Sequence, residues 1–190
     1  MRRTRFNKEF NILACDPSLA AWGYAVIDLE GNILDADCIK TKKENKKRGI
    51  FKGDDNVRRI DELLDVFMQI IENYHINYIV SELQHGSQNS SAAIGIGATT
   101  AILQTISRCN KIGIEWFYER DIKKFLFNRE SVTKTEMIEK IKTKLNVNWC
   151  NIKYKNEAIA DALGIYLTAL DKSSALKLFI KTRKDDANDY

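Results

Sequence analysis

The chain has 190 residues, 44% of them hydrophobic and 29% charged, with a formal net charge of +4, a composition typical of one globular domain. No apolar run approaches the roughly 20 residues of a transmembrane helix, and the first residues lack the apolar region of a signal peptide. The four cysteines form no C-x-x-C pair, which argues against a zinc ribbon and favours reduced thiols in the cytoplasm.

The positive charge is concentrated in residues 40–59, which contain nine basic and three acidic side chains. A basic segment on an otherwise slightly acidic chain indicates a polyanionic partner, and nucleic acid is the usual one. The segment predicts DNA contacts from its lysines Lys42, Lys43, Lys46 and Lys47. A solvated lysine loop is the simpler interpretation on charge alone.

Three short strands are predicted at the start of the chain. Residues 11–16 and 21–29 are apolar runs, and residues 33–39 alternate between apolar and polar side chains. Glu30-Gly31-Asn32 is a tight hairpin signal between the second and third strands. Apolar residues at helical spacing then predict a helix over residues 57–74.

Helices and strands alternate in the rest of the chain. The predicted elements are a buried strand at 76–82, a helix rich in small residues at 89–109, a strand at 112–118, a helix after the capping box at 133–136, an apolar helix at 156–170 and a tail from 171. This order predicts an α/β domain with one mixed sheet. We expect residues 1–190 to form a single domain with a core over about residues 10–170.

Acidic residues at the ends of apolar segments are the candidate functional residues. Asp16 ends the first strand, Glu82 ends the strand at 76–82, and Asp161 interrupts the apolar helix. Such carboxylates are costly to bury without partners. Glu157 lies four residues before Asp161 and therefore on the same helix face. Convergence on divalent metal ions would explain all four, because the cations offset the repulsion between like charges.

Each acid also has a purely structural explanation. Asp16 could cap the turn at Pro17-Ser18, and Glu82 could pair with a lysine. Glu157 suits a helix start, where the helix dipole favours anions. Asp161 is the hardest to explain in this way, because it lies a full turn inside a helix whose other residues are apolar.

Four stretches, in order, resemble the RuvC-type Holliday junction resolvases of the RNase H-like (retroviral integrase) superfamily. Asp16 to Asp28 (DPSLAAWGYAVID) is similar to the family's D-P-G-L-x-x-T-G-Y-G-V-I-D, and Val80 to Gln84 (VSELQ) is similar to its second acidic motif. Asn89 to Ile102 resembles its helix of small residues, and Ala160 to Gly164 (ADALG) resembles its closing A-D-A-L-A. The agreement in order and spacing covers about residues 10–170.

The resemblance implies an RNase H-like fold, with a mixed five-stranded sheet of three antiparallel and then two parallel strands and helices on both faces. It also implies roles for Lys123 and Lys134, which are eleven residues apart, as are two functional lysines of the family. Both would contact DNA. The helix dipole disfavours a lysine in the first turn of a helix, and this placement suggests that Lys134 serves a phosphate in catalysis; without the resemblance, an ordinary surface lysine explains it equally well.

The chain departs from the family pattern at several positions. Ser18 replaces a glycine and Trp22 replaces a threonine. The family's second C-terminal acid or histidine is Ala158 here, so Glu157 is expected to take its role directly or through water. His85 replaces an aromatic residue that stacks on junction bases in the family, and an imidazole can still stack on a base.

The resemblance further implies hydrolysis with two metal ions. Two Mg²⁺ ions about 3.5–4 Å apart, or Mn²⁺ in their place, would be bridged by Asp16. Glu82 and Asp161 would bind one ion each, with Glu157 assisting. Four-way junctions would be cut symmetrically to leave 5′-phosphate and 3′-hydroxyl ends, which requires a homodimer. We expect no membrane partner and a location in the cytoplasm of a bacterial or phage-infected bacterial cell.

Three other functions are compatible with parts of the pattern. Actin-like ATPases and sugar kinases begin similarly, but they need a second such domain and a second glycine-rich phosphate loop, and the 190 residues contain neither. A broader branched-DNA or flap nuclease would retain the fold and the acids. A non-catalytic junction-binding protein would follow if Ala158 marked a decayed site, although such a protein has no need of Asp16, Glu82 and Asp161.

Overall fold

The computed structural model describes residues 10–44, 49 and 51–188, with side chains as far as residue 185. The elements in chain order are β1 (Asn11–Asp16), β2 (Ala21–Asp28), β3 (Ile33–Lys40), α1 (Lys52–Asn73), β4 (Ile76–Glu82), α2 (Ser90–Asn110), β5 (Gly113–Phe117), α3 (Glu119–Phe127), α4 (Lys134–Lys142), α5 (Lys153–Lys172) and α6 (Ser174–Asn188). Among these helices, none combines the length and the apolar character needed to cross a bilayer.

The five strands form one mixed sheet in the order β3-β2-β1-β4-β5. β1 pairs antiparallel with β2, and β2 pairs antiparallel with β3. β1 and β4, and then β4 and β5, pair in parallel. Gly31 turns the β2–β3 hairpin with a φ of 90°, a conformation that glycine adopts without steric cost. The predicted sheet, with three antiparallel and then two parallel strands, is confirmed.

Helices cover both faces of the sheet, as predicted. Side chains of a strand alternate between its faces, so Ile12 and Ala14 of β1 pack in one layer and Leu13 and Cys15 in the other. The first layer is built with α3, α4, α5 and α6, and we call it the α5 layer. The second is built with α1 and α2, and we call it the α1/α2 layer.

Helix α5 packs unusually close to the sheet. A Cβ atom at Gly23 of β2 would lie 2.2 Å from the backbone oxygen of Ala158, so only glycine allows this approach. Gly23 pairs with Asp16 across β1 and β2. The contact therefore fixes α5, and with it Asp161 one turn further along, beside the end of β1.

The structure adds two helices that the sequence pattern does not predict, α3 and, in the predicted tail, α6. Helix α3 forms between β5 and the capping box, where Ile122 and Leu126, one turn apart, are buried. Nine residues with two core positions are too few for a periodicity to stand out. The capping box itself is confirmed, since Thr133 and Glu136 each accept a hydrogen bond from the other's backbone amide. Residues after 173 continue as α6, in which Leu176 is buried.

Candidate active site

A cavity of about 340 Å³ lies at one edge of the sheet, on its α5 face. The ends of β1 and β4 border it, together with the first turns of α3 and α4 and the middle of α5. Its charged lining residues are Asp16, Glu82, Glu119, Lys123, Lys134 and Asp161. Four carboxylates and two ammonium groups thus share one small volume.

Strand register brings Asp16 and Glu82 together. Each is the last residue of its strand, and the residues before them, Cys15 and Ser81, are paired in the parallel β1–β4 ladder. Alternation turns both carboxylates towards the α5 layer, where Ala14 and Val80 are buried two positions earlier. The sequence therefore places these two acids side by side through strand pairing alone.

The electrostatics of the cavity are those of crowded, partly desolvated carboxylates. Burial raises the pKa of Asp16 well above its ordinary value, and the negative charges of Asp161 and Glu82 raise it further. The pKa of Glu82 rises to about 7, chiefly through burial and then through Glu119 and Asp161. Burial also raises the pKa of Asp161, against the opposing effect of the Lys134 ammonium. Positive charge in the cavity would therefore stabilise the ionised form of these carboxylates.

Two lysines supply part of that positive charge. Lys134 is the first residue of α4, and its ammonium group donates a hydrogen bond to Oδ2 of Asp161. Burial lowers the pKa of Lys134, but its hydrogen bond to Asp161 and the negative charges of Asp161, Asp16 and Glu82 together outweigh burial, and the net shift is upward. Lys123 forms an ion pair of 2.5 Å with Glu119 one turn earlier on α3. Both lysines line the cavity, so the fold brings the two predicted lysines to the acids.

Comparison with known proteins identifies the family. The family model described as crossover junction endodeoxyribonuclease RuvC matches residues 12–169. The chain belongs to the RuvC family. A RuvC from Prochlorococcus marinus (strain MIT 9301) is 23% identical over 164 residues, covering 85% of this chain and 96% of the relative.

Two solved structures share the fold of this RuvC-family protein. Thermus thermophilus RuvC in complex with a Holliday junction substrate gives a TM-score of 0.65 at 16% identity, covering 83% of this chain and 91% of that one. The yeast mitochondrial Holliday junction resolvase Ydc2 gives a TM-score of 0.61 at 13% identity, covering 92% and 83%. The RNase H-like fold implied by the sequence motifs is thereby confirmed.

RuvC-family enzymes are metal-dependent nucleases, and the lining of this cavity includes four carboxylates. Carboxylate oxygens are the ligands that hard divalent ions prefer, and the raised pKa values of Asp16 and Glu82 indicate charges that a cation would relieve. Within the described residues, no three His, Cys, Asp or Glu side chains already stand as a formed metal site. The donor chemistry fits, and lysine ammonium groups pair with two of the acids.

Two predicted residues of this RuvC-family protein lie beside the cavity instead of lining it. The Glu157 carboxylate is 3.8 Å from Lys153 Nζ, one turn before it on α5. It still raises the pKa of Asp161, although as the smallest of the causes. His85 follows the end of β4 and stacks on Tyr118, with 5.1 Å between ring centroids and 10° between ring planes.

The basic segment leaves the sheet at the same edge as the acids. Lys40, the last residue of β3, pairs with Ala21, the first residue of β2, and Ala21 lines the cavity. Lys42 and Lys43 follow directly and are exposed. The other two lysines of the prediction, Lys46 and Lys47, lie outside the described residues.

Glu119 is the cavity residue that the sequence motifs did not indicate. It begins α3 two residues after Phe117, which pairs with Glu82 in the β4–β5 ladder. An acid just beyond the end of a third parallel strand is a detectable signal, because the ends of adjacent parallel strands meet at one edge. It was missed because the stretch was matched to the family only through its lysines.

Proposed function

We propose that this protein resolves four-way DNA junctions by metal-dependent hydrolysis of phosphodiester bonds at the cavity described above. The observation that supports this function best is the convergence of Asp16, Glu82 and Asp161, from two strands and a helix, on one polar cavity. The family membership of the chain supplies the substrate class, and the carboxylates supply the chemistry.

Asp16, Glu82 and Asp161 would bind two Mg²⁺ ions, or Mn²⁺ in their place, with Asp16 between them. Such ions, when bound, activate the attacking water and stabilise the leaving 3′ oxygen, so the products carry 5′-phosphate and 3′-hydroxyl ends. The acids must be ionised for this role. Because burial and crowding raise their pKa values in the free protein, a cation must compete with protons for these carboxylates.

Lys134 and Lys123 would neutralise and orient the scissile phosphate. Each ammonium group now pairs with a cavity carboxylate, Lys134 with Asp161 and Lys123 with Glu119. Cations that take over these carboxylates would free both ammonium groups to bind phosphate oxygens as point charges. The start of α4 is fixed by its capping box, which holds the backbone of Lys134 in place.

The DNA would extend from the cavity along the sheet edge. Lys42 and Lys43 leave that edge beside the cavity, and with Lys46 and Lys47 they would contact the phosphate backbone. The His85 ring, stacked on Tyr118, offers a flat face on which an unpaired junction base could stack.

Three further features complete the proposal. Symmetric cleavage requires two sites, so the active form would be a homodimer with a twofold axis. Residues 1–190 would act as one nuclease domain with its core over about residues 10–170, in the bacterial or phage-infected cytoplasm. Glu157 would assist Asp161 through its charge, or through water, from one turn away on α5.

The test is cleavage of labelled four-way junctions, flaps and linear duplex, with Mg²⁺ or with EDTA, by the wild type and by Asp16→Asn. We expect paired symmetric nicks in the junction alone, lost in EDTA. Asp16→Asn should bind the junction but cut it at least about a thousandfold more slowly. The loss of a metal ligand removes several kcal/mol of transition-state stabilisation.

Other outcomes identify the alternatives. Equal cutting of flaps would broaden the function to a branched-DNA nuclease. Tight junction binding without cutting in Mg²⁺ or Mn²⁺ would indicate a non-catalytic junction-binding protein, and an absence of both binding and cutting would refute the proposal.

A further inference from the structure

The cavity contains a fourth acid where the resemblance to the family predicts none. Glu119 lines the cavity together with Asp16, Glu82 and Asp161. Its negative charge contributes to the raised pKa of each of these three acids. It is thus electrostatically part of the same cluster and not a separate surface charge.

Helix α5 does not supply a second acid at position 158, where the family pattern has an acid or a histidine. Position 158 is an alanine that is buried against Gly23 of β2. The neighbouring acid, Glu157, does not line the cavity and lies near Lys153. The helix that carries Asp161 therefore contributes one cavity carboxylate, and the first turn of α3, on another wall, contributes Glu119.

The charge balance of the cavity favours four ligands. Its lining includes four carboxylates and two ammonium groups. When both lysines turn to a phosphate, four carboxylates carry a charge that two divalent cations neutralise completely. Three carboxylates would leave one positive charge for the bound phosphate to neutralise, so the fourth carboxylate matters most before DNA binds.

We propose that Glu119 supplies the fourth metal-binding carboxylate of this cavity, in place of the acid that α5 lacks at Ala158. This inference rests on the proposed function and concerns the same site. It assigns the Glu119–Lys123 ion pair a defined change of partner: the carboxylate moves from the ammonium group to a cation, and the ammonium group moves to DNA.

The test is Mn²⁺ binding to the full-length protein without DNA, measured by isothermal titration for the wild type and Glu119→Gln. The Glu119 side chain is 54% exposed, so the substitution should leave the fold intact, and thermal unfolding checks this. We expect the Kd for Mn²⁺ to rise at least about tenfold, which corresponds to about 1.4 kcal/mol. Junction cleavage should fall in parallel at fixed Mn²⁺.

Asp121→Asn is the matched control, because it removes one negative charge from the same first turn of α3 but outside the cavity lining. Its Kd should stay within about twofold of wild type.

Two results would overturn the inference. One is a Glu119→Gln protein that binds Mn²⁺ as tightly as Asp121→Asn. The other is a loss of affinity on Glu157→Gln with none on Glu119→Gln, which would return the role to Glu157. If Asp16→Asn also kept full affinity, the proposed metal site itself would fail, so the two failures can be told apart.

Discussion

Adjacent residues on the two faces of β1 lie in different environments, one apolar and one charged. Cys15 lies in the α1/α2 layer and is completely buried, and burial raises the pKa of its thiol far above the ordinary value. Asp16, one residue later, lies on the α5 side, where burial raises its pKa and three other carboxylates raise it again.

The two layers differ because charged side chains converge in the α5 layer. In the α1/α2 layer, apolar side chains surround Cys15, so its raised pKa only makes an inert thiol. In the α5 layer, strand ends and helix starts bring acids and lysines to one cavity. A raised pKa therefore marks a functional site only where several charged side chains converge on one cavity.

The largest expected effect is on the pH dependence of stability. The pKa of Glu82 rises from 4.5 to about 7 in the folded protein, so between these values the folded chain keeps a proton that the unfolded chain has released. Stability should therefore fall as pH rises, by roughly 3 kcal/mol from this residue. Urea unfolding of the protein in EDTA at about pH 5 and about pH 8 measures it.

The control for this pH effect separates the layers. Glu82→Gln should be more stable than wild type at the higher pH by most of that amount, and Cys15→Ala, in the α1/α2 layer, should keep the wild-type pH dependence. If Glu82→Gln kept the pH dependence of the wild type, Glu82 would not be its source, and the predicted difference between the two layers would be refuted.

Gly23→Ala should destabilise the protein by about 2 kcal/mol, because the new Cβ would lie 2.2 Å from the Ala158 oxygen and push α5 away. Cleavage should also fall, since α5 carries Asp161. Gly97 of α2 has open space around it, so Gly97→Ala should stabilise by about 0.5 kcal/mol. Urea unfolding tests both, and equal stability of Gly23→Ala and wild type would refute the close α5 contact.

The caps of α4 and α2 provide a matched pair across the two layers. Thr133 caps α4, and Asn89 caps α2 by accepting from the Ser91 and Ala92 amides. Thr133→Ala and Asn89→Ala should each cost about 1 kcal/mol of stability. Only Thr133→Ala should also slow junction cleavage, because α4 begins with Lys134. Equal cleavage by both variants would remove the start of α4 from the site.

Neutralising the basic segment should have the smallest effect on stability, within about 0.5 kcal/mol. Changing Lys42, Lys43, Lys46 and Lys47 to glutamine should weaken junction binding and lower the salt slope by about 0.9 for each lost phosphate contact. Fluorescence anisotropy at several salt concentrations measures this slope.

Control lysines for this experiment lie at the opposite end of β1. Helix α6 packs there, with Phe179 and Phe10 rings 6.4 Å apart. Lys181→Gln with Lys184→Gln should therefore leave the slope unchanged. A slope equally unaffected by the four substitutions in the basic segment would favour a solvated loop.

Much of this fold was predictable because its signals are local. Alternation and apolar runs identified the five strands, Gly31 marked the hairpin, and the capping box placed the start of α4. Helix α3 escaped prediction because its nine residues contribute only two buried positions. Its helical state depends on burying Ile122 and Leu126 in the α5 layer, which no short-range pattern reveals.

By itself, the sequence determined the five strands, the mixed type of the sheet and the family, and it singled out Asp16, Glu82 and Asp161 as candidates, because strand alternation and motif residues can be read along the chain. Only the tertiary structure decided which other charges join them. The sequence alone does not show which of Glu119 and Glu157 joins the cavity. Glu119 begins a helix where the strands end and lines the cavity, whereas Glu157 does not line it. That choice depends on how β5 and α5 approach β1, and such long-range distances are set by packing and not by residue type.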